Sequence, residues 1–117
     1  QDNNKSYHVF YNGIDYNINV TDQSTLLQGR SNKEIVDFTK DDLEYYQTKF
    51  NEMKIKNNRG MFKNFDAVFY EIYQDKKLTR AVYFYYKNKS YMLQVSSKKN
   101  TDDLFTKFIN SFEVINK

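Results

Sequence analysis

The chain predicts an α+β domain: a twisted antiparallel β-sheet with a long helix on one face and a C-terminal helix on the other, in the order β-β-α-β-β-β-β-α. Three observations carry this. Phe65–Tyr73 and Leu78–Tyr86 are aromatic or β-branched at successive positions, as in Val82-Tyr83-Phe84-Tyr85-Tyr86, the pattern of central strands covered on both faces. Ile35, Phe38, Leu43, Tyr46, Phe50 and Met53 recur at three- and four-residue steps, one apolar stripe of a helix. Leu104, Phe105, Phe108, Ile109 and Phe112 do the same near the C-terminus.

Each element has its own local warrant. Residues 1–6 are polar and read as a loose lead-in, and Tyr7–Tyr11 reads as a short strand. Asn12-Gly13 is the strongest two-residue hairpin signal, because both positions accept a positive φ. Ile14–Val20 alternates, with Ile14, Tyr16, Ile18 and Val20 against Asp15, Asn17 and Asn19, so this strand is solvated on one side. Thr21–Arg30 is a polar connection. Ser31-x-x-Glu34 is a capping box that starts the long helix, expected to run to about Met53. Some twenty-two residues at 1.5 Å each reach about 33 Å, and a nine-residue strand reaches about 30 Å, so the helix matches the sheet in length. Lys33, Asp37, Asp41 and Glu44 belong to its solvent face.

Beyond the helix, Lys54-Ile55-Lys56 reads as a strand entry and Asn57-Asn58-Arg59-Gly60 as a turn. Gln74–Lys77 joins the two aromatic strands, and Lys87–Ser90 turns into Tyr91–Ser97. Asn100 or Thr101 caps the last helix, with Asp102 and Asp103 on its positive end. Glu113–Ile115 reads as a last edge strand. No repeat or linker divides the 117 residues, so one domain is expected.

Composition narrows the function classes. Mean hydropathy is −0.88, but aromatics make up 18% of the chain, and each buried ring removes about 150–250 Å² from water. A folded core therefore follows. Cysteine is absent, which removes disulfides, thiolate metal sites and a cysteine nucleophile. The net charge of +3 is spread among mixed Lys, Asp and Glu rather than gathered on one element, unlike a duplex-DNA binder. No run of about 18 apolar residues occurs, so no transmembrane helix is expected. The opening at Gln1 reads as the mature end of an exported chain or a trimmed boundary, and export is the expectation.

Candidate chemistry is sparse. His8 is the single histidine and sits on a short strand without a nucleophile-elbow glycine pattern. Asp37, Asp41 and Glu44 share a helix face but supply too few converging oxygens for Ca²⁺. Gly13, Gly29 and Gly60 are isolated, so no phosphate loop and no cofactor motif is present. Three Asn-x-Ser/Thr sites, at Asn4, Asn19 and Asn88, are near chance in so Asn-rich a chain. Glu71, midway along an apolar strand, is the sole carboxylate to consider for catalysis, and pairing with Arg80 across the hairpin explains it more simply. If the later strands form a meander, two turns share one sheet end. They would gather Lys56, Arg59, Lys87 and Lys89 into a basic rim for an anionic partner.

The run Asn88-Lys89-Ser90-Tyr91-Met92-Leu93-Gln94-Val95-Ser96, followed by Phe105-Thr106-Lys107-Phe108-Ile109-Asn110-Ser111-Phe112, resembles the C-terminal pattern of the Mog1/PsbP-like group of α/β/α sandwiches. The matching pattern is a Lys-x-Tyr-x-Leu strand and a helix ending Ser-Phe. The Asn12-Gly13 hairpin, long helix and consecutive aromatic strands match in element order, while the proline often found after that group's opening strand has no counterpart. The resemblance implies an accessory or binding protein, often extracytoplasmic in bacteria, without a shared catalytic site. No functional residue is carried over.

The resulting expectation is a non-enzymatic, exported bacterial domain that binds a protein partner or small ligand through an aromatic or basic surface. A single-stranded nucleic-acid module is the alternative, but its stacking platform needs an open aromatic sheet face. A small hydrolase or isomerase built on Glu71 stands third.

Overall fold

The computed structural model describes residues 4–99 and 102–112. Its elements are β1 (Asn4–Tyr11), β2 (Ile14–Asp22), α1 (Ser24–Leu27), α2 (Asn32–Glu52), β3 (Lys56–Phe62), β4 (Phe65–Gln74), β5 (Lys77–Tyr86), β6 (Lys89–Ser97) and α3 (Asp102–Ser111). The six strands form one antiparallel sheet in the order β1-β2-β6-β5-β4-β3. The expected α+β architecture is therefore present. One long-range pairing, Ile14↔Ser97 to Asp22↔Lys89, joins the opening hairpin to the β3–β6 meander.

Hairpins make this sheet, and all four are tight. Asn12 and Gly13 take φ of 54° and 77°, as the dipeptide predicts. Lys63–Asn64, Asp75–Lys76 and Lys87–Asn88 also turn with positive φ at both residues. Asn and Asp enter that region readily, but each lysine reaches it at a cost of about 1–2 kcal/mol, so strand pairing is needed to hold the lysines of these turns in place.

This corrects several sequence expectations. Asn57–Gly60 is not a turn: it lies inside β3, paired with Tyr70, Phe69, Val68 and Ala67 of β4. Turn-forming residues yield here to the ladder. Gly60 has a packing reason to be glycine, because a Cβ there would stand 3.3 Å from the Phe69 ring. Residues 4–6 are strand rather than loose lead-in, and the polar connection after β2 carries the single-turn α1. The proposed Asn100/Thr101 cap and the Glu113–Ile115 strand lie outside the described residues.

The long helix starts as its capping box predicts. Ser31 Oγ accepts from the Glu34 amide at 3.2 Å, and the Glu34 carboxylate accepts from the Ser31 amide at 3.0 Å. These bonds hold the Glu34 carboxyl below its usual value, the backbone amide contributing most. Met53, placed on the apolar stripe by spacing, is instead the exposed C-cap.

Register decides which residues share a face. Phe62, Ala67, Val82, Phe84 and Leu93 lie on one side and form the core with Ile109 of α3, flanked by Phe105, Phe108 and Phe112. Tyr70, Tyr83 and Tyr85 point to the other side, where α2 places Phe50, Tyr46 and Phe38 against them at 4.5, 4.7 and 5.9 Å between ring centroids. The two helices thus cover opposite faces.

Candidate functional site

Helix α2 covers only part of its face. It packs chiefly over β3, β4 and the tyrosines of β5, and less closely over the same face of β6 and β2. There the alternation of β2 presents Asp15, Asn17, Asn19 and Thr21, and β6 presents Ser90, Met92, Gln94 and Ser96. Where the aromatic flank of α2 meets this polar field, a groove of about 260 Å³ opens.

Tyr46 and Phe50 of α2 form one wall of the groove. Tyr70, Tyr83 and Met92 make its floor, and Asn19 and Thr21 stand on the far rim. No charged side chain lines it among the described residues. Its floor is held by internal bonds: Tyr70 Oη donates to Met92 Sδ at 2.8 Å, and Tyr83 Oη donates to Asp42 Oδ2 of α2 at 2.8 Å. The Tyr83–Asp42 bond ties the helix to the sheet beneath the groove.

Burial pushes the phenols of Tyr70, Tyr83 and Tyr85 well above the ordinary value of 10, and neighbouring charge and hydroxyl groups push Tyr83 further. Above pH 10 the unfolded chain therefore releases protons that the folded chain retains, so stability is full below that pH and declines as pH rises through it. In an absorbance titration to about pH 11, fewer than the 11 tyrosines should ionise while circular dichroism is native. The remainder should ionise together with unfolding. A single wave of all tyrosines with native dichroism would contradict this burial.

Other cavities offer less convergent chemistry. A depression of about 320 Å³ between α1 and the start of α2 is lined partly by Glu34 and Asp37. Those carboxylates are engaged, Glu34 in the cap and with Arg30 at 3.4 Å, and Asp37 with Lys33 at 3.3 Å. A shallow one of about 430 Å³ at the Asp75–Lys76 end mixes Asp75, Lys77 and Lys98.

The residues singled out by sequence do not form one site. Lys56 stands opposite Glu71, which stands opposite Arg80, so Lys56 belongs to the Asp75–Lys76 half of the sheet. Lys87 and Lys89 flank the other end, about 20 Å away along the strand. Arg59 sits mid-strand opposite Val68. The basic rim of Lys56, Arg59, Lys87 and Lys89 is therefore dispersed, because the turn that was to gather it lies at Lys63–Asn64. Lys63 joins Lys87 and Lys89 at that end, but its ammonium donates to the Asn110 and Phe112 carbonyls at 2.9 and 2.7 Å and closes the end of α3.

Glu71 pairs with Arg80 as expected, and Arg80 also meets Asp102 at the start of α3. His8 lies on the opposite face, its Nε2 2.8 Å from Asp15 Oδ1, while Lys77 holds the other Asp15 oxygen at 3.1 Å. The His8 bond, followed by that of Lys77, lowers the Asp15 pKa. Among the described residues no hydroxyl bonds to His8, and no group of three His, Asp or Glu is placed to hold a metal ion. No helix of the described residues is long and apolar enough to cross a membrane.

The groove went unseen in the sequence. The alternation of β2 signalled its polar rim, but nothing local placed β2 beside β6.

These features define an α+β sandwich, a six-stranded antiparallel sheet flanked by two helices with one partly open face. No family model matches the chain, and no curated protein matches it. Among solved structures it is similar to the crystal structure of PA94 from Pseudomonas aeruginosa, a protein of unknown function described as a candidate regulator. The TM-score is 0.56 with 11% identity, over 100% of this chain and 87% of that one, a likeness of fold alone.

Proposed function

We propose that this is a non-catalytic binding domain whose groove between α2 and β2/β6 takes an uncharged ligand with one apolar face and amide or hydroxyl groups at its edge. The carrying observation is the groove itself, aromatic along the helix and amide- and hydroxyl-bearing along β2, with no charged lining side chain among the described residues. Aromatic walls accept an apolar face, and a few polar groups orient the ligand, the usual division of labour in a binding pocket. At about 260 Å³ it suits a single small ring or one residue of a longer chain.

An extracytoplasmic setting and a place in the Mog1/PsbP-like group belong to the same reading. The element order, with helices on opposite faces of the sheet, supports the placement in the group, and the extracytoplasmic setting is what that group implies. Single-stranded nucleic acid is disfavoured, because α2 and α3 occupy the aromatic centre of both faces.

N-acetylglucosamine, which carries an amide, hydroxyls and an apolar ring face, is a suitable probe, with inorganic phosphate as its anionic counterpart. In NMR titrations the sugar should shift the Met92 methyl and the Tyr46 and Tyr83 rings, and Thr21→Val should weaken that response about threefold, one hydrogen bond's worth. Phosphate shifts confined to Lys87 and Lys89, with a silent groove, would overturn the proposal in favour of an anion-binding end.

A further inference from the structure

The sheet has two edges, and they are treated differently. Helix α2 and its exit turn pack along β3, where Asn57 Nδ2 donates to Asn51 Oδ1 at 3.0 Å. Strand β1 is covered by nothing among the described residues: all eight of its positions are exposed. Tyr7, Val9, Phe10 and Tyr11 are 56%, 59%, 65% and 65% exposed. Monomeric proteins guard such an edge with charges, proline, a bulge or brevity. Here the register runs without a bulge from Asn4↔Thr21 to Tyr11↔Ile14, and Lys5 is the one permanent charge.

The hairpin fixes which backbone groups are free to pair. In a two-residue turn Tyr11 and Ile14 are the hydrogen-bonded pair, so Val9, Tyr7 and Lys5 bond to β2 and the backbone groups of Phe10, His8 and Ser6 point away from it. Their donors and acceptors suit another antiparallel strand.

We infer that β1 pairs with β1 of a second copy, antiparallel about a two-fold axis through His8, so that two sheets become one. In this register Ser6 and Phe10 of one copy bond to Phe10 and Ser6 of the other, with His8 opposite His8. The close, non-bonded positions place Tyr7 against Val9 of the second copy, an aromatic–branched pair that stabilises antiparallel ladders. They also place Lys5 against Tyr11, a cation over a ring. A shift to centre on Tyr7 sets Lys5 against Val9 instead and loses both complementary pairs. The two-fold keeps α3 on the same side in both copies and uses the open edge of each. It leaves only the two β3 edges, which carry the charges Lys56 and Arg59 that discourage further strand addition, so assembly stops at a dimer. One strand per copy buries less than the ~800 Å² per partner of a standard interface, so the dimer is weak, with Kd on the order of 10⁻⁵–10⁻³ M.

Sedimentation from about 10 μM to 1 mM, spanning that range, should show a reversible monomer–dimer shift. His8→Pro removes an N–H that β2 does not use, and proline is tolerated at such an edge. The variant should remain monomeric throughout, and its unfolding transition should shift by no more than the loss of the exposed His8–Asp15 bond allows, a small decrease. Opposed residues of a hydrogen-bonded pair have Cα atoms about 5.5 Å apart, within disulfide reach, and the native chain has no cysteine. Oxidised His8→Cys should therefore cross-link to a dimer, while Val36→Cys, exposed on α2, should not. A wild-type monomer at 1 mM, or equal cross-linking of both cysteine variants, would overturn the inference.

Discussion

Phe84→Ala is expected to lower the unfolding free energy by about 3–5 kcal/mol, the range for emptying a fully buried ring site. Phe84 is 0% exposed and stands at the centre of an aromatic cluster. Its ring lies 5.2 Å from Phe65 and 5.1 Å from Tyr91, nearly parallel to both, 5.1 Å from Phe62 and 6.1 Å edge-on to Phe112. These contacts join β3, β4, β5 and β6 to the end of α3, so the cavity would open where five segments meet and none can collapse alone. Phe84→Leu, which retains most of the volume, should cost less than half as much. Urea unfolding at unchanged m-value measures both. A loss below about 1 kcal/mol for the alanine variant would show that this cluster is not the core.

On the opposite face, Leu43→Ala is expected to cost about 2–5 kcal/mol. Leu43 is 0% exposed and is the buried residue of α2. Alanine has the higher helix propensity, so the loss would come from packing against the sheet, and the helix itself would persist. Hydrogen exchange should therefore quicken along α2 before it quickens in β5 and β6. Because Tyr46 and Phe50 form a wall of the groove, the same variant should also blunt the N-acetylglucosamine response. Intact α2 protection with lost stability would place the effect elsewhere.

The candidate site was much less legible than the fold. Glu71 opposite Arg80 could be read from hairpin geometry alone, because both residues lie on strands joined by a short turn. The basic rim could not. It depended on which of two polar stretches turns, Asn57–Gly60 or Lys63–Asn64, and local preference pointed to the former. Pairing of Phe62 with Phe65 and the close approach of Phe69 to Gly60 favour the latter. Burial of these rings outweighs the strain of placing Lys63 at φ 47°.

By itself, the sequence determined what short-range chemistry controls. This includes the Asn12-Gly13 turn, the Ser31–Glu34 cap, the apolar stripes of both long helices, the two-faced character of β4 and β5, and the order of the strands and the two longer helices, though not the short α1. Only the tertiary structure decided what depends on contacts between distant segments. It set β2 beside β6, seated α2 over one half of its face so that a groove remained over the other, and left every position of β1 exposed while α2 packs against β3. The physical reason is that caps and two-residue turns are settled within a few bonds of the residues that make them. Strand order and helix seating follow from the total burial of rings supplied by the whole chain, which no local window contains.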